Sequence, residues 1–208
     1  GEALLWCESR KLKVGAGARV LVPFLALDRN LIALDVSDGD LNTADVRQLS
    51  SALATNDVLQ DLTLRKATLR VQQLRTAAEV DLSDQGLAVH DGIALSALLG
   101  VNTALLSIDV GGNELGETCN AIARALAHSA KTLTSVNFSH CVELTDDAVV
   151  ALASTCTQLT SVNFARCARL TDTAMAALAK ACAQLTYISV ERCTELVDAA
   201  ATDLTQAC

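Results

Sequence analysis

Apolar residues recur along this chain at a fixed step. Leu133, Leu159 and Leu185 lie 26 residues apart, and Leu144, Leu170 and Leu196 keep the same step. So do Leu152, Leu178 and Leu204; Cys141, Cys167 and Cys193; and Cys156, Cys182 and Cys208. Each unit opens with apolar residues at alternate positions, the pattern of a short half-buried strand. It continues with apolar residues three and four apart, which share one helix face. Strand–turn–helix units at a period of roughly 20 to 30 residues predict a solenoid, whose stacked units share one continuous core.

Upstream of Leu133 the same pattern holds at a looser step. Residues 1–30 predict an atypical N-terminal unit, with Leu5 and Cys7 facing inward, Leu12 closing the turn and a loop at Val14-Gly15-Ala16-Gly17. Its return segment is Val20–Leu27, where Pro23 bars a regular helix interior. The first clear unit starts with Leu31, Leu34, Val36 and Leu41. Thr43 is its expected N-cap, for a helix to about Ala54 with Leu49 and Leu53 inside. Leu59, Leu62, Leu64, Ala67 and Leu69 follow 28 residues on, but the next strand begins near Ala77, only 18 residues later. The segment Arg70–Thr76 is too short for a helix and two loops, so residues 59–76 are expected to form a truncated unit. Val80, Leu82 and Leu87 then lead to a helix expected over Asp91–Gly100, with Ile93, Leu95, Leu98 and Leu99 apolar. Leu105, Ile108, Val110, Asn113 and Leu115 lead to another over Gly116–Ala127, with Ile122 and Leu126 inside. In the regular array, Leu-Thr-Asp at 144–146 and 170–172 places an acceptor at each helix start.

These motifs carry a resemblance. Leu105–Asn113 resembles the 28-residue, ribonuclease-inhibitor-like class of leucine-rich repeats. Leu133–Cys208 resembles the cysteine-containing class, reading Leu133-Thr-Ser-Val-Asn-Phe-Ser-His-Cys141-Val-Glu-Leu-Thr-Asp146 in its first unit. The last unit departs from it, with Val197 in place of Thr before Asp198. The resemblance covers about residues 31–208. It implies an α/β leucine-rich-repeat solenoid, a horseshoe with a concave parallel β-sheet and convex helices. Residues 1–30, 31–132 and 133–208 are then three stretches of one domain. Cysteine-containing repeats of this kind commonly occur in substrate-recognition parts of F-box proteins and related adaptors, although no F-box-like segment stands in this sequence.

Charge and cysteine content narrow the chemistry. A formal charge of −8 argues against a general nucleic-acid binder, which carries a basic stripe, and favours a basic or neutral protein surface as partner. No apolar run approaches the roughly 20 residues of a membrane-spanning helix, and the first residues lack the layout of a secretory signal. Six of the eight cysteines follow the repeat columns. A packing reason for each suggests reduced thiols in an intracellular, cytoplasmic protein. No Cys-x-x-Cys pair suggests zinc, and the histidines at 90, 128 and 140 form no arrangement with a nucleophile, so neither metal, cofactor nor catalysis is expected. The glycine-rich run Val110–Gly116 lacks the ending of a phosphate-binding loop and reads as a repeat turn carrying Asn113. Cys141, Cys167 and Cys193 stand where Asn113 stands in its own unit, turned into the bend after the strand, where backbone groups need partners.

The function is therefore expected on the polar positions between the inward leucines. Their central column reads Asp35, Thr63, Asp81, Asp109, Asn137, Asn163 and Ser189. Flanking positions add Asp38, Glu79 and Asp84 in the first half and His140, Arg166, Tyr187, Glu191 and Arg192 in the second, with Arg65 and Lys66 interrupting the acidic part. The expected partner-binding residues are Asp35, Asp81, Asp109, Asn137, His140, Asn163, Arg166, Tyr187, Ser189 and Arg192. Tyr187, Arg166 and Arg192 have the residue types of binding anchors. The pattern predicts a non-catalytic module that binds a protein on its concave face, such as the substrate-recognition part of a ubiquitin-ligase adaptor. A scaffold subunit of a large assembly and a regulatory domain of an enzyme are the alternatives. The solenoid ends are expected to be covered by further chain or by another subunit.

Overall fold

The structure is a computed structural model that describes residues 11–13, 30–129 and 131–196, with the side chains of 128 and 129 set aside. The expectations for Leu5, Cys7, the 14–17 loop, Val20–Leu27, Val197, Asp198, Leu204 and Cys208 lie outside the described residues.

Nine three-residue strands and six helices alternate along the described chain. The strands are β1 (Lys11–Lys13), β2 (Ala33–Asp35), β3 (Asp61–Thr63), β4 (Thr68–Arg70), β5 (Glu79–Asp81), β6 (Ser107–Asp109), β7 (Ser135–Asn137), β8 (Ser161–Asn163) and β9 (Tyr187–Ser189). The helices are α1 (Thr43–Leu53), α2 (Val71–Thr76), α3 (Val89–Leu99), α4 (Thr118–Ser129), α5 (Asp146–Thr155) and α6 (Asp172–Ala181). In eight of the nine strands the central residue is buried, from Leu12 to Val162, while both neighbours are at least partly open. That is the period of two expected of the alternating pattern, except that Leu12, expected to close a turn, is instead the inward residue of β1 and pairs with Leu34. Leu49, Leu53, Leu95, Leu98, Ile122, Leu126, Leu152 and Leu178 on the helices meet them in one continuous core. Burying each such side chain contributes about 1.5–3 kcal/mol. Phe138 and Phe164, both fully buried, stack in successive layers with ring centroids 6.4 Å apart.

The concave face is not one sheet. Strands β1 to β4 form one and β5 to β9 another. All pairs are parallel except β3–β4, where Leu62 faces Leu69 in an antiparallel hairpin. The cause lies in the chain between β3 and β5. The chain turns back at residues 64–67, Thr63 and Thr68 share a hydroxyl hydrogen bond of 2.8 Å, and the short α2 follows at once. On the other face the layer closes over the gap, since α1 packs directly on α3.

Three helix starts depart from expectation. The N-cap of α1 is Asn42, not Thr43. The Asn42 amide oxygen accepts from Ala44 and Asp45 N–H, and the Asp45 carboxylate accepts from Asn42 N–H. This reciprocal pair satisfies more orphan donors than a threonine one residue on. Helix α3 begins at Val89 rather than Asp91, whose carboxylate instead accepts the Ala88 N–H. Helix α4 begins at Thr118 because Gly116, at φ +55°, sits in the left-handed region and cannot be part of it.

Candidate functional site

The polar positions of the strands line the concave face as expected, but most serve the fold first. Asp35, Asp81, Asp109, Asn137 and Asn163 each use Oδ1 to accept the backbone N–H two residues on, at Ser37, Ser83, Gly111, Ser139 and Ala165. A carboxylate or amide at that place closes the turn that ends the strand. Asn137 also donates from Nδ2 to Asp109 Oδ2 at 2.8 Å, tying two units. Burial alone would push the Asp35 carboxyl up, but the Ser37 hydroxyl and amide and the Lys13 ammonium together hold it below the usual range. The Ser83 hydroxyl and amide hold Asp81 low in the same way. Ser189 is half-buried in β9, where its carbonyl accepts from Phe164 N–H. The outer acidic residues are paired at the N-terminal end: Lys13 meets Asp35 and Asp38, and Arg70 meets Asp61.

A second column emerges at the third residue past each strand of the larger sheet. Asp84, Gly112, His140, Arg166 and Arg192 all have positive φ, between 52° and 70°. Left-handed backbone costs a non-glycine residue about 1 kcal/mol or more. The geometry is held from outside: the N–H groups of Asp84, Gly112, His140 and Arg166 each donate to a carbonyl of the next unit's turn. His140 is therefore a turn residue and not a strand residue. His140, Arg166 and Arg192 stand exposed at the rim, and Tyr187 is 54% exposed at the head of β9. The structure thus brings Tyr187, Arg166 and Arg192 to one end of the concave face. Asp35 lies in the other sheet, and Asp81 and Asp109 lie on β5 and β6 of the larger one.

The cysteine columns pack and bond inside. Cys167 and Cys193 donate from Sγ to the carbonyls of Phe138 and Phe164 in the preceding unit, at 3.2 and 3.1 Å. Asn113 does the same to Leu82 at 2.8 Å, reaches Val110 as well, and accepts the Leu87 N–H. Cys156 and Cys182 cap the ends of α5 and α6 and make long bonds to carbonyls of the unit before, not the unit after. Here sequence reasoning missed a partner set: Asn56 and Asn102 stand three residues before Leu59 and Leu105, as Cys156 and Cys182 stand before Leu159 and Leu185. Asn102, fully buried, donates to the carbonyls of Leu74 and Ala77. Burial pushes the Cys156 and Cys167 thiols up to about 12, so they stay protonated and are poor nucleophiles and poor metal ligands. Among the described residues no group of three His, Cys, Asp or Glu side chains is placed to hold a metal ion, and no helix is long and apolar enough to cross a membrane.

Acceptors at the helix starts also act between units. Asn120 Oδ1 accepts from the N–H and hydroxyl of Thr145, and Asp146 accepts from the N–H and hydroxyl of Thr171. Of Thr145 and Thr171, only Thr171 caps its own helix, accepting from Thr173 N–H.

Residues 129–153 match the sequence pattern described as "Leucine Rich repeat". Together with the alternating strands and helices, that match decides the architecture. The fold is a leucine-rich-repeat solenoid. Among solved structures, this solenoid is similar to the tropomodulin C-terminal domain of Caenorhabditis elegans. That likeness has a TM-score of 0.53 at 11% identity, over 66% of this chain and 87% of that one. It is also similar to a chain of the yeast Rad7–Elc1 complex, with a TM-score of 0.42 at 14% identity, over 95% of this chain and 66% of that one. At such identities the first likeness speaks to the fold alone, and the second is too distant to add to it. No curated protein sequence matches the chain.

Proposed function

We propose that this leucine-rich-repeat solenoid is a non-catalytic protein-binding module whose partner docks on the β7–β9 end of the concave face. Leucine-rich repeats generally mediate protein–protein interaction. The observation that carries the placement is the exposure of Tyr187 on β9 at the same end of the larger sheet as the exposed Arg166 and Arg192, two cations in left-handed turns. Tyrosine and arginine are the side chains that most often anchor interfaces. The strands beneath them are held by ladders and turn bonds, so little ordering entropy is lost on docking. Within this class we favour substrate recognition in an intracellular adaptor, a reading supported by the cysteine-type units and by six buried, unbridged thiols. The units before Leu133 then correspond to the ribonuclease-inhibitor-like type.

The test is affinity purification with the intact protein beside a variant carrying His140→Asn, Arg166→Asn, Arg192→Asn and Tyr187→Ser. Asparagine tolerates the left-handed turn, so the fold is kept. The partners captured by the unaltered protein are expected to be lost. Capture that is undiminished, with both proteins melting together, overturns the reading.

A further inference from the structure

The break between the two sheets leaves strand edges open in the middle of the concave face. On β5, Val80 and its flanks pair with β6: Ser107 N–H donates to the Ala78 carbonyl and Leu82 N–H donates to the Asp109 carbonyl. In a parallel ladder the intervening residues aim their N–H and C=O groups the other way. Those of Glu79 and Asp81 therefore point at the gap. Among the described residues no β4 backbone group reaches them, and the Asp81 carbonyl has only a long 3.4 Å contact from the Gln85 amide. Both side chains are exposed, whereas Ser107 and Asp109, one strand in, are half-buried. An open edge of this kind is a ready template for another strand.

The gap has chemistry as well as an edge. It holds a slot of about 220 Å³ walled by Thr68, Arg70, Leu74, Val80, Leu82 and Gln85. That is below the roughly 300 Å³ at which small-molecule sites begin, and it suits a single side chain. The slot opens onto a groove of about 450 Å³ over β5 to β7, where Glu79, Asp81 and Asp109 supply negative charge. A strand laid on β5 alternates its side chains as β5 does. Residues level with Glu79 and Asp81 lie on the acidic concave surface, and the one level with Val80 enters the slot against Leu74 and Leu82.

We propose that the open edge of β5 is a second recognition site, which takes an extended basic–apolar–basic segment of a partner protein by antiparallel strand addition. Main-chain bonds to Glu79 and Asp81 supply the pairing, and the slot and the two carboxylates supply the selectivity. The inference rests on the reading of the concave face as a protein-binding surface, but it uses none of the residues at the β9 end.

The test uses a synthetic peptide, acetyl-Thr-Lys-Val-Lys-Thr-amide, titrated into the intact protein by NMR. Saturable shifts at the amides of Glu79 and Asp81 are expected. Three changes should each weaken binding roughly threefold to tenfold: N-methylation of the lysine amides, exchange of both lysines for glutamate, and Glu79→Lys in the protein. Equal binding by the N-methylated peptide means that charge alone holds it and overturns strand addition. No shift at Glu79 and Asp81 overturns the site itself. If partners are still lost on altering Tyr187 and its arginines, that second result leaves the module's proposed function standing.

Discussion

The units before Leu133 and those after it solve the same problem with different atoms. Each unit must close the turn after its strand and the end of its helix, and each leaves carbonyls of the previous unit buried. The early units use amides inside: Asn113 under the strand turn and Asn56 and Asn102 at the helix end. The later ones use thiols at the same two places. On the concave surface the exchange runs another way, with Asp35, Asp81 and Asp109 as turn acceptors early and Asn137 and Asn163 late. An amide makes several strong, directed bonds, and a thiol makes one weak bond and packs as a small apolar group. The early half is therefore held by directional bonds and tolerates an irregular unit. The late half is held by packing, which rewards an invariant step.

The largest test of that contrast is Asn113→Ala. It orphans the buried Leu87 N–H and two carbonyls, and should lower unfolding free energy by about 3 kcal/mol in urea titration. Asn102→Ala strips the end of α2 and should cost about 2 kcal/mol. Cys167→Ala, the counterpart of Asn113 in the later half, loses one thiol bond and a small volume and should cost about 1 kcal/mol. A Cys167 loss as large as that of Asn113 would erase the distinction.

Acid should separate the halves on the surface. Asp35 and Asp81 have folded pKa values below the unfolded value, so their contribution is present above about pH 4 and is lost as pH falls through the folded values. The Asn137 and Asn163 amides do not titrate. Hydrogen exchange at the Ser37 and Ser83 amides should accelerate on acidification relative to those of Ser139 and Ala165, and equal behaviour of the two pairs would contradict this. The smallest effect expected is that of Arg166→Gly, which relieves a left-handed strain at the cost of chain entropy and should move stability by no more than about 0.5 kcal/mol.

The register and the buried columns were legible in the sequence, because periods of two and of three to four report directly on which side chains face the core. The hairpin was not. Leu64-Arg65-Lys66-Ala67 contains no glycine, proline or asparagine to mark a reversal, and Leu69 fits a repeat column as well as it fits a strand facing Leu62. The left-handed column was hidden for a similar reason: histidine and arginine fill positions where glycine, as at Gly112, would have announced the backbone. The binding candidates were legible as surface positions. That Asp35, Asp81, Asn137 and Asn163 are also turn acceptors depends on atoms two residues apart closing on each other, which spacing alone does not separate from a free side chain. That leaves His140, Arg166, Tyr187, Ser189 and Arg192 as the candidates whose side chains accept no turn bond.

The bonds from Asn120 to Thr145 and from Asp146 to Thr171 have a consequence for how this half can change length. Each joins a residue to the start of the following unit, and each spans 25 residues. Excising residues 146–171 would set Thr145 before Asp172, leaving the first bond intact and a correct acceptor for whatever follows. The later half is thus a tape that can be spliced by whole units, while the gain or loss of a single residue would break every link it crosses.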